Sequence, residues 1–172
     1  FKKYQAAQNL LEVTRDTEKL VREAQAAVDA AQDILTLKAQ ELKKVRVAAA
    51  PKLCEAVNRQ MSHLQMGSAQ IELSFEDLPF EQWNKVGSTK IELMYKPSAQ
   101  MTARPLRKIA SGGEVSRVML ACKVVLGESD VCDTLVFDEV DAGVGGATAV
   151  ALAEVLAQLA KTHQVIVVTH LP

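Results

Sequence analysis

The chain has 172 residues, of which 48% are hydrophobic and 4% aromatic, and its formal net charge is −1 at pH 7. This near-neutral charge excludes a strong overall field for nucleic acid, and no apolar run approaches the ~20 residues that cross a bilayer. We expect alanine- and leucine-rich helices packed on a small sheet, without a membrane partner. The chain begins at Phe1 and stops at Pro172 just after a strand-like run, so we expect a segment of a longer protein.

The first 46 residues contain no Gly or Pro and are rich in Ala, Leu, Gln, Glu and Lys. Apolar and small residues recur at spacings of three and four, which predicts a long amphipathic helix with a coiled-coil-like seam. The seam residues are Leu10, Val13, Thr17, Leu20, Ala24, Ala27, Ala31 and Ile34. A helix outside the chain is at least as good a partner for this seam as a second copy. Pro51 can open a second helix ending near Gly67, so we place a coiled-coil arm at 1–48 and a head domain at 49–172.

Two runs, 71–75 and 91–95, alternate apolar with polar residues. Each run predicts a half-buried strand. The loop between them carries Leu78, Phe80 and Trp83, whose apolar side chains we expect to pack under the sheet.

A linker over 96–105 follows, and the residues in and around it are locally basic. Only Glu92 balances the positive charges there, which are Lys85, Lys90, Lys96, Arg104, Arg107 and Lys108. This pattern is typical of a solvated surface, and a contact with DNA phosphates is the alternative.

The remaining sequence predicts a helix, a strand, a helix and a strand, near 111–127, 134–137, 147–159 and 165–168. A strand, crossover helix and strand form a βαβ unit, so the fold class is α/β and the two strands are expected to be parallel. Because both strands are largely apolar, we expect the sheet to be covered on both faces. Polar residues follow each strand, at the edge where open α/β sheets bind ligands.

Asp138 and Glu139 directly follow the first of these strands. Two adjacent carboxylates at the tip of an apolar strand are costly in solvation energy unless a cation lies nearby. In nucleotide-hydrolysing sheets the first carboxylate holds Mg²⁺, usually through water, and the second polarises the attacking water. A pair of solvated loop acids is the alternative interpretation.

Ser111 and Glu114 have the spacing of a capping box, which predicts a helix start. Gly112 and Gly113 lie inside that start and leave backbone N–H groups bare at the positive end of the helix. A cap alone does not explain both glycines, so the sequence predicts an anion site here.

His170 directly follows the second apolar strand, where an imidazole can hydrogen-bond a phosphate oxygen. A structural histidine is the alternative. Between the two strands lies the glycine-rich turn 141–146, which could reach across an interface.

The three cysteines, Cys54, Cys122 and Cys132, are widely spaced and form no CxxC or Cys/His pattern. We expect free, buried thiols in a reducing cytoplasm.

The order Ser-Gly-Gly-Glu, Asp-Glu, Thr-His resembles the ABC ATPase superfamily, with its signature motif, Walker B motif, D-loop and H-loop. The resemblance implies the C-terminal lobe of an ABC ATPase head, of the P-loop NTPase type, with an N-terminal coiled-coil helix. It also implies that ATP lies between two heads. The residues that would bind the ATP held by the opposite head are Ser111, Gly112, Gly113 and Glu114.

The same resemblance assigns roles to residues at the sheet edge. Asp138 would assist Mg²⁺, and Glu139 would act as the catalytic base. Asp141 would lie in the D-loop and contribute to ATP binding, and His170 would be the catalytic switch histidine.

A finer match is to the RecN family, relatives of the SMC proteins that act in repair of DNA double-strand breaks. The residues that carry it are 108–114 with 116–121, 134–146, and 162–165 with 168–172. Ala110 and Glu114 differ from the Leu and Gln of transporter ATPases and agree with this family. The resemblance implies a bacterial, nucleoid-associated ATPase that uses ATP and Mg²⁺, with DNA and a second head as partners. Alternatives are another SMC-like head, a zinc-hook repair ATPase, or a structural tethering module.

A Walker A loop is absent from the sequence, since no lysine follows a glycine and G-x-x-x-x-G-K-[ST] cannot be satisfied. In this superfamily that loop lies in an N-terminal lobe. We therefore expect this lobe as a partner, and we expect the 172 residues alone to bind ATP weakly and hydrolyse none.

Overall fold

The computed structural model describes residues 2–109, 111–127 and 132–169, without the side chains of 2, 3 and 6–13. The helices are α1 (Lys2–His63), α2 (Gly112–Leu126) and α3 (Ala147–Leu159). The strands are β1 (Gln70–Asp77), β2 (Thr89–Lys96), β3 (Arg104–Pro105), β4 (Thr134–Asp138) and β5 (Gln164–Val168). The expectations for Ala110, for His170 and for the side chains of Leu10 and Val13 lie outside the described residues.

Helix α1 continues through Pro51, so the prediction of a second helix beginning there is wrong. Proline in a helix removes one backbone hydrogen bond and crowds the carbonyl four residues earlier. Packing of the following turns offsets this loss, because Val57, Met61 and Leu64 are at most 1% exposed. The domain boundary after residue 48 falls within this continuous helix and stays a prediction.

The predicted apolar seam is exposed along the N-terminal part of α1. Its large described side chains, Leu20 and Ile34, are 64% and 61% exposed to solvent, and the neighbouring Val21 and Val28 are also more than half exposed. This exposure agrees with an amphipathic helix whose apolar face packs on nothing in the described part of the chain. None of the helices, as far as the structure describes them, is long and apolar enough to span a membrane.

Strands β1, β2 and β3 form an antiparallel sheet in that order. The paired runs were predicted as strands, but β3 lies in the segment expected to be a linker. The side chain of Asn58 on α1 binds the backbone of β1 at its unpaired edge. Its Oδ1 accepts a hydrogen bond from the Ile71 N–H at 2.7 Å, and its Nδ2 donates to the Ile71 carbonyl at 3.3 Å. Helix α1 therefore satisfies backbone groups that an edge strand otherwise leaves open.

The loop between β1 and β2 lies against α1 and not under the sheet. A β-carbon at Gly87 would be 3.1 Å from the Leu42 side chain, and Arg46 donates to the Val86 carbonyl at 2.7 Å. Phe80 is 43% exposed, so the expectation that it packs under the sheet is wrong. The loop forms part of the junction between the arm and the sheet.

Acidic residues balance the basic segment more fully than its linear sequence indicates. Lys90 forms an ion pair with Glu76 on the neighbouring strand at 2.8 Å, and Arg107 pairs with Glu92 at 2.6 Å. The Lys90 ammonium lowers the pKa of Glu76. Because cross-strand partners are remote in sequence, this compensation was not predicted, and it favours the solvated-surface interpretation.

Strands β4 and β5 pair in parallel, as predicted, with α3 as the crossover. Leu135 and Phe137 are buried in a core that they share with α2 and α3. On the opposite face Val136 is 64% exposed and Ile166 45%, so the expectation of burial on both faces is wrong for this chain. Both helices lie on one face, and no described element covers the other.

The cysteines differ in their surroundings. Cys54 and Cys122 are partly buried, and burial raises the pKa of Cys122 to about 11. Cys132 is exposed, so the prediction of buried thiols is wrong for this residue. It lies just before β4, outside the core cluster that buries the others.

Candidate functional site at the start of α2 and the end of β4

Helix α2 begins where the capping residues predict. Ser111 is the N-cap, and its Oγ accepts a hydrogen bond from the Glu114 N–H at 3.3 Å. Ser111 and Gly112 are exposed, whereas Gly113 is buried. The first turn of α2 thus presents backbone N–H groups at a surface, as an anion site requires.

The acidic turn begins at the carboxyl end of β4 and carries Asp138 and Glu139, both exposed. Glu139 has a φ of 54°, in the left-handed region that costs a non-glycine residue about 1–3 kcal/mol. The Ala142 N–H donates to the Glu139 carbonyl at 2.9 Å and closes a tight turn. The next residue, Val140, is fully buried and anchors the turn in the core.

The start of α2 and the acidic turn after β4 contact each other within one chain. A β-carbon at Gly112 would collide with the carboxylate oxygen Oε2 of Glu139. A β-carbon at Gly113 would lie 2.9 Å from the Ala142 side chain and 3.1 Å from the Glu139 carbonyl oxygen. Sequence reasoning assigned the glycines to an anion site alone, and the structure adds a packing reason for both of them.

Gly112, at the helix start, lines a common cavity of about 400 Å³ together with the two acids, Asp138 and Glu139. Its walls also include residues from the segment before α2 and from the next turn of the helix, which are Leu106, Arg107, Ile109, Val115 and Ser116. Arg107 places a cation at this cavity, although Glu92 pairs with it. The cavity therefore combines two carboxylates, a guanidinium and a helix N-terminus.

Two side chains of α2 donate hydrogen bonds to the backbone carbonyls of the acidic turn. The Ser116 hydroxyl donates to the Asp138 carbonyl at 2.6 Å. Arg117 Nη1 donates to the Val140 carbonyl at 3.2 Å and to the Ala142 carbonyl at 2.9 Å. Sequence reasoning gave neither residue a role.

The sequence signal that could have identified Ser116 and Arg117 as site residues is their spacing from the two glycines. Each lies four positions after one of the two glycines, Gly112 and Gly113. Residues four apart share one face of a helix, so a helix face that approaches the turn presents all four positions to it.

Asp141 points into its own chain. It is 8% exposed, and the Thr169 hydroxyl donates a hydrogen bond to its carboxylate oxygen Oδ2. This bond joins the turn after β4 to the residue that follows β5. A contact between Asp141 and nucleotide stays a prediction, as do the roles predicted for the other site residues.

The carboxylates of Asp138 and Glu139 suit a cation whose remaining ligands are waters and phosphate oxygens. Among the described residues, no group of three or more His, Cys, Asp or Glu is close enough to hold a metal ion. Mg²⁺ bound with a nucleotide commonly uses one or two carboxylates together with waters and phosphate oxygens. Asp138, exposed at the strand end beside Glu139, fits that limited contribution.

Comparison with known proteins identifies the family, although no family model matches the chain. The DNA repair protein RecN of Mycobacterium leprae is 40% identical over 166 residues, which cover 86% of this chain. RecN of Treponema pallidum is 38% identical over 171 residues, or 97% of this chain. The chain belongs to the RecN family over the part that it spans. That part is 28% of the length of the first relative and 29% of the second.

The match to RecN proteins extends further than the sequence motifs indicated. Those motifs lie within 108–172, whereas the alignment with the Treponema pallidum protein includes nearly the whole chain. The long helix and the antiparallel sheet are thus part of the RecN-like segment.

Solved structures show the same fold. The Smc head domain with an extended coiled coil from Pyrococcus furiosus, solved with the C-terminal domain of ScpA, matches with a TM-score of 0.57 and 23% identity. The Smc head domain with a coiled coil and joint from Pyrococcus yayanosii also gives 0.57, at 22% identity. Each match covers 92% of this chain, and 37% and 28% of the respective structures. The predicted fold class, an α/β head lobe preceded by a long N-terminal helix, is confirmed, and the coiled-coil pairing of that helix stays a prediction.

Proposed function

We propose that the chain works as the signature-bearing lobe of a RecN-type ATPase head in recombinational repair of DNA double-strand breaks. In this proposal two heads enclose ATP and Mg²⁺ between them, in the bacterial cytoplasm at the nucleoid. The observation that carries it is that both predicted motifs are exposed at the surface, with Ser111 and Gly112 at the N-terminus of α2 and Asp138 and Glu139 at the end of β4. RecN relatives at 38–40% identity support the link to DNA repair.

Each described site residue has a defined task in this proposal. Ser111, Gly112 and Gly113 offer the helix N-terminus to the terminal phosphate of ATP held by the opposite head, where a fixed dipole stabilises developing negative charge. Glu114 is close to the same phosphates. Glu139 orients the attacking water and accepts its proton.

Asp138 holds Mg²⁺ through water in this proposal. When bound, the ion neutralises charge on the phosphate oxygens during transfer. Asp141 keeps the turn in place from its buried position, and His170, the next residue after Thr169 in sequence, is the switch histidine that senses the terminal phosphate.

A second lobe is required because the chain has no Walker A loop. That loop cradles the phosphates and supplies the lysine that contacts them. We therefore expect the 172 residues alone to bind ATP weakly and to show no measurable turnover. An N-terminal lobe of the same protein completes the site, and the arm that begins with α1 connects the head to DNA in the full-length protein.

The test uses the full-length protein that carries this chain, with Glu139→Gln as the variant. The change preserves shape and removes the base, so hydrolysis should stop while ATP-bound head dimers accumulate. Size-exclusion chromatography with ATP and a phosphate-release assay measure the two effects. Glu154→Gln on α3, also an exposed glutamate, is the matched control and should behave as the parent protein does.

A purely structural tether is the second candidate, and the exposed apolar seam of α1 favours it. In this case α1 pairs with another helix and the head contributes no turnover. If the full-length protein bearing an N-terminal lobe shows no ATP hydrolysis, or if Glu139→Gln hydrolyses ATP at the parent rate, the ATPase proposal is wrong.

A further inference from the structure

The backbone at Glu139 needs support, because its left-handed φ of 54° is unfavourable for a residue with a side chain. Such conformations persist only where surrounding contacts determine them. The Ala142 N–H closes the turn on the Glu139 carbonyl, but it leaves the carbonyls before and after Glu139 without that restraint.

Helix α2 supplies the restraint on both sides of Glu139. Ser116 holds the carbonyl of Asp138, immediately before it, and Arg117 holds the carbonyl of Val140, immediately after it. Arg117 also holds the Ala142 carbonyl, which ends the turn. The carbonyls of the residues before and after Glu139 are therefore hydrogen-bonded to two consecutive residues of one helix.

The chemistry of arginine suits this task. Each terminal guanidinium nitrogen carries two N–H donors in a fixed plane, so one nitrogen can serve two carbonyls. Charge-assisted hydrogen bonds are also stronger than neutral ones. The same helix carries Gly112 at its start, so α2 positions the glycines and the acidic turn as one unit.

We propose that Arg117, assisted by Ser116, is a positioning residue for Glu139. It acts through the backbone of the acidic turn and orients the Glu139 carboxylate at the cavity. This inference rests on the proposed function, since it assumes that Glu139 orients the attacking water. Arg117 itself touches neither nucleotide nor water in this proposal.

The experiment measures ATP turnover by the full-length protein with Arg117→Ala, Arg117→Lys and Ser116→Ala. A misplaced base lowers kcat without weakening nucleotide binding, so Arg117→Ala should reduce kcat by up to about 100-fold with KM for ATP unchanged. Arg117→Lys retains a charged donor and should recover part of the loss. Arg59→Ala, an exposed arginine on α1, is the control and should leave both constants unchanged.

A double-variant cycle separates positioning from general destabilisation. If Arg117 acts through Glu139, then Arg117→Ala should leave the ATP-bound head dimers of the Glu139→Gln background intact, whereas general destabilisation should reduce them. Thermal unfolding of each variant identifies the folded fraction. If Arg117→Ala does not fold, Arg117→Lys and Ser116→Ala must still show reduced kcat with unchanged KM.

Two results overturn the inference and leave the proposed function standing. In the first, Glu139→Gln abolishes turnover while the folded Arg117 and Ser116 variants have the kcat of the parent. In the second, the activity of the Arg117 and Ser116 variants falls only in proportion to their folded fraction. A Glu139→Gln protein with parental turnover overturns both the inference and the proposed function.

Discussion

One carboxylate oxygen of Glu139 occupies the space that a β-carbon at Gly112 would require. This contact joins the end of β4 to the first residue of α2. It brings the acid turn and the glycine-rich helix start into one cavity of a single chain. The resemblance to ABC ATPases concerns contacts across two heads and did not predict this proximity.

The two glycines of α2 should respond differently to alanine. Gly113→Ala meets the Ala142 side chain and the Glu139 backbone, which cannot move freely, so we expect a loss of about 1–3 kcal/mol in the free energy of unfolding. Gly112→Ala displaces only the end of a flexible side chain and gains helix propensity, so its stability should stay within about 1 kcal/mol of the parent. Urea unfolding measures both.

Gly145→Ala is the control for this pair, because the space around its β-carbon is open. A larger loss for Gly112→Ala than for Gly113→Ala would contradict the packing of the acidic turn described here.

Asn58 should contribute to stability through the edge of β1. Asn58→Ala leaves the N–H and carbonyl of buried Ile71 without their side-chain partner, so we expect a loss of about 1–3 kcal/mol. Asn58→Asp keeps an acceptor for the N–H and should lose less. Chemical denaturation gives the values, and Arg59→Ala, exposed on the same helix, should change stability little. Equal stability of Asn58→Ala and the parent would show that this contact is dispensable.

The hydrogen bond between Thr169 and Asp141 should make a measurable contribution to the free energy of unfolding. Thr169→Val keeps the shape of the side chain but removes the hydroxyl that donates to a carboxylate only 8% exposed. We expect a loss of about 1.5–3 kcal/mol, the range for hydrogen bonds to charged groups. Thr169→Ser retains the hydroxyl and serves as the control. A Val variant as stable as the Ser variant would mean that the bond contributes nothing net.

The cysteines should label in an order set by exposure and ionisation. Burial raises the pKa of Cys122 from the ordinary 9.0 to about 11, so its thiolate fraction at pH 8 falls about 100-fold. Cys132 is exposed and should react first with a maleimide reagent, and Cys122 should react faster as the pH rises toward 11. Peptide mass spectrometry assigns the sites, and labelling in urea should remove the difference. Equal rates in the folded protein would contradict the burial of Cys122.

The sequence by itself determined the helices, most of the strands and the ends of several elements, because these depend on neighbours two to four positions apart. The capping pair Ser111 and Glu114 placed the start of α2, and the apolar runs placed β4 and β5. Pro51 shows where local rules fail, since packing of α1 against the core overrides the tendency of proline to begin a new helix.

Only the tertiary structure decided which of these elements meet. Ser116 and Arg117 face the acidic turn because α2 packs across the end of β4, and that crossing depends on side chains distant in sequence. Glu76 neutralises Lys90 for the same reason, since strand pairing joins residues 14 positions apart. Periodicity and capping are local properties of the chain, whereas the shape of the site follows from the close packing of surfaces that the chain brings together only on folding.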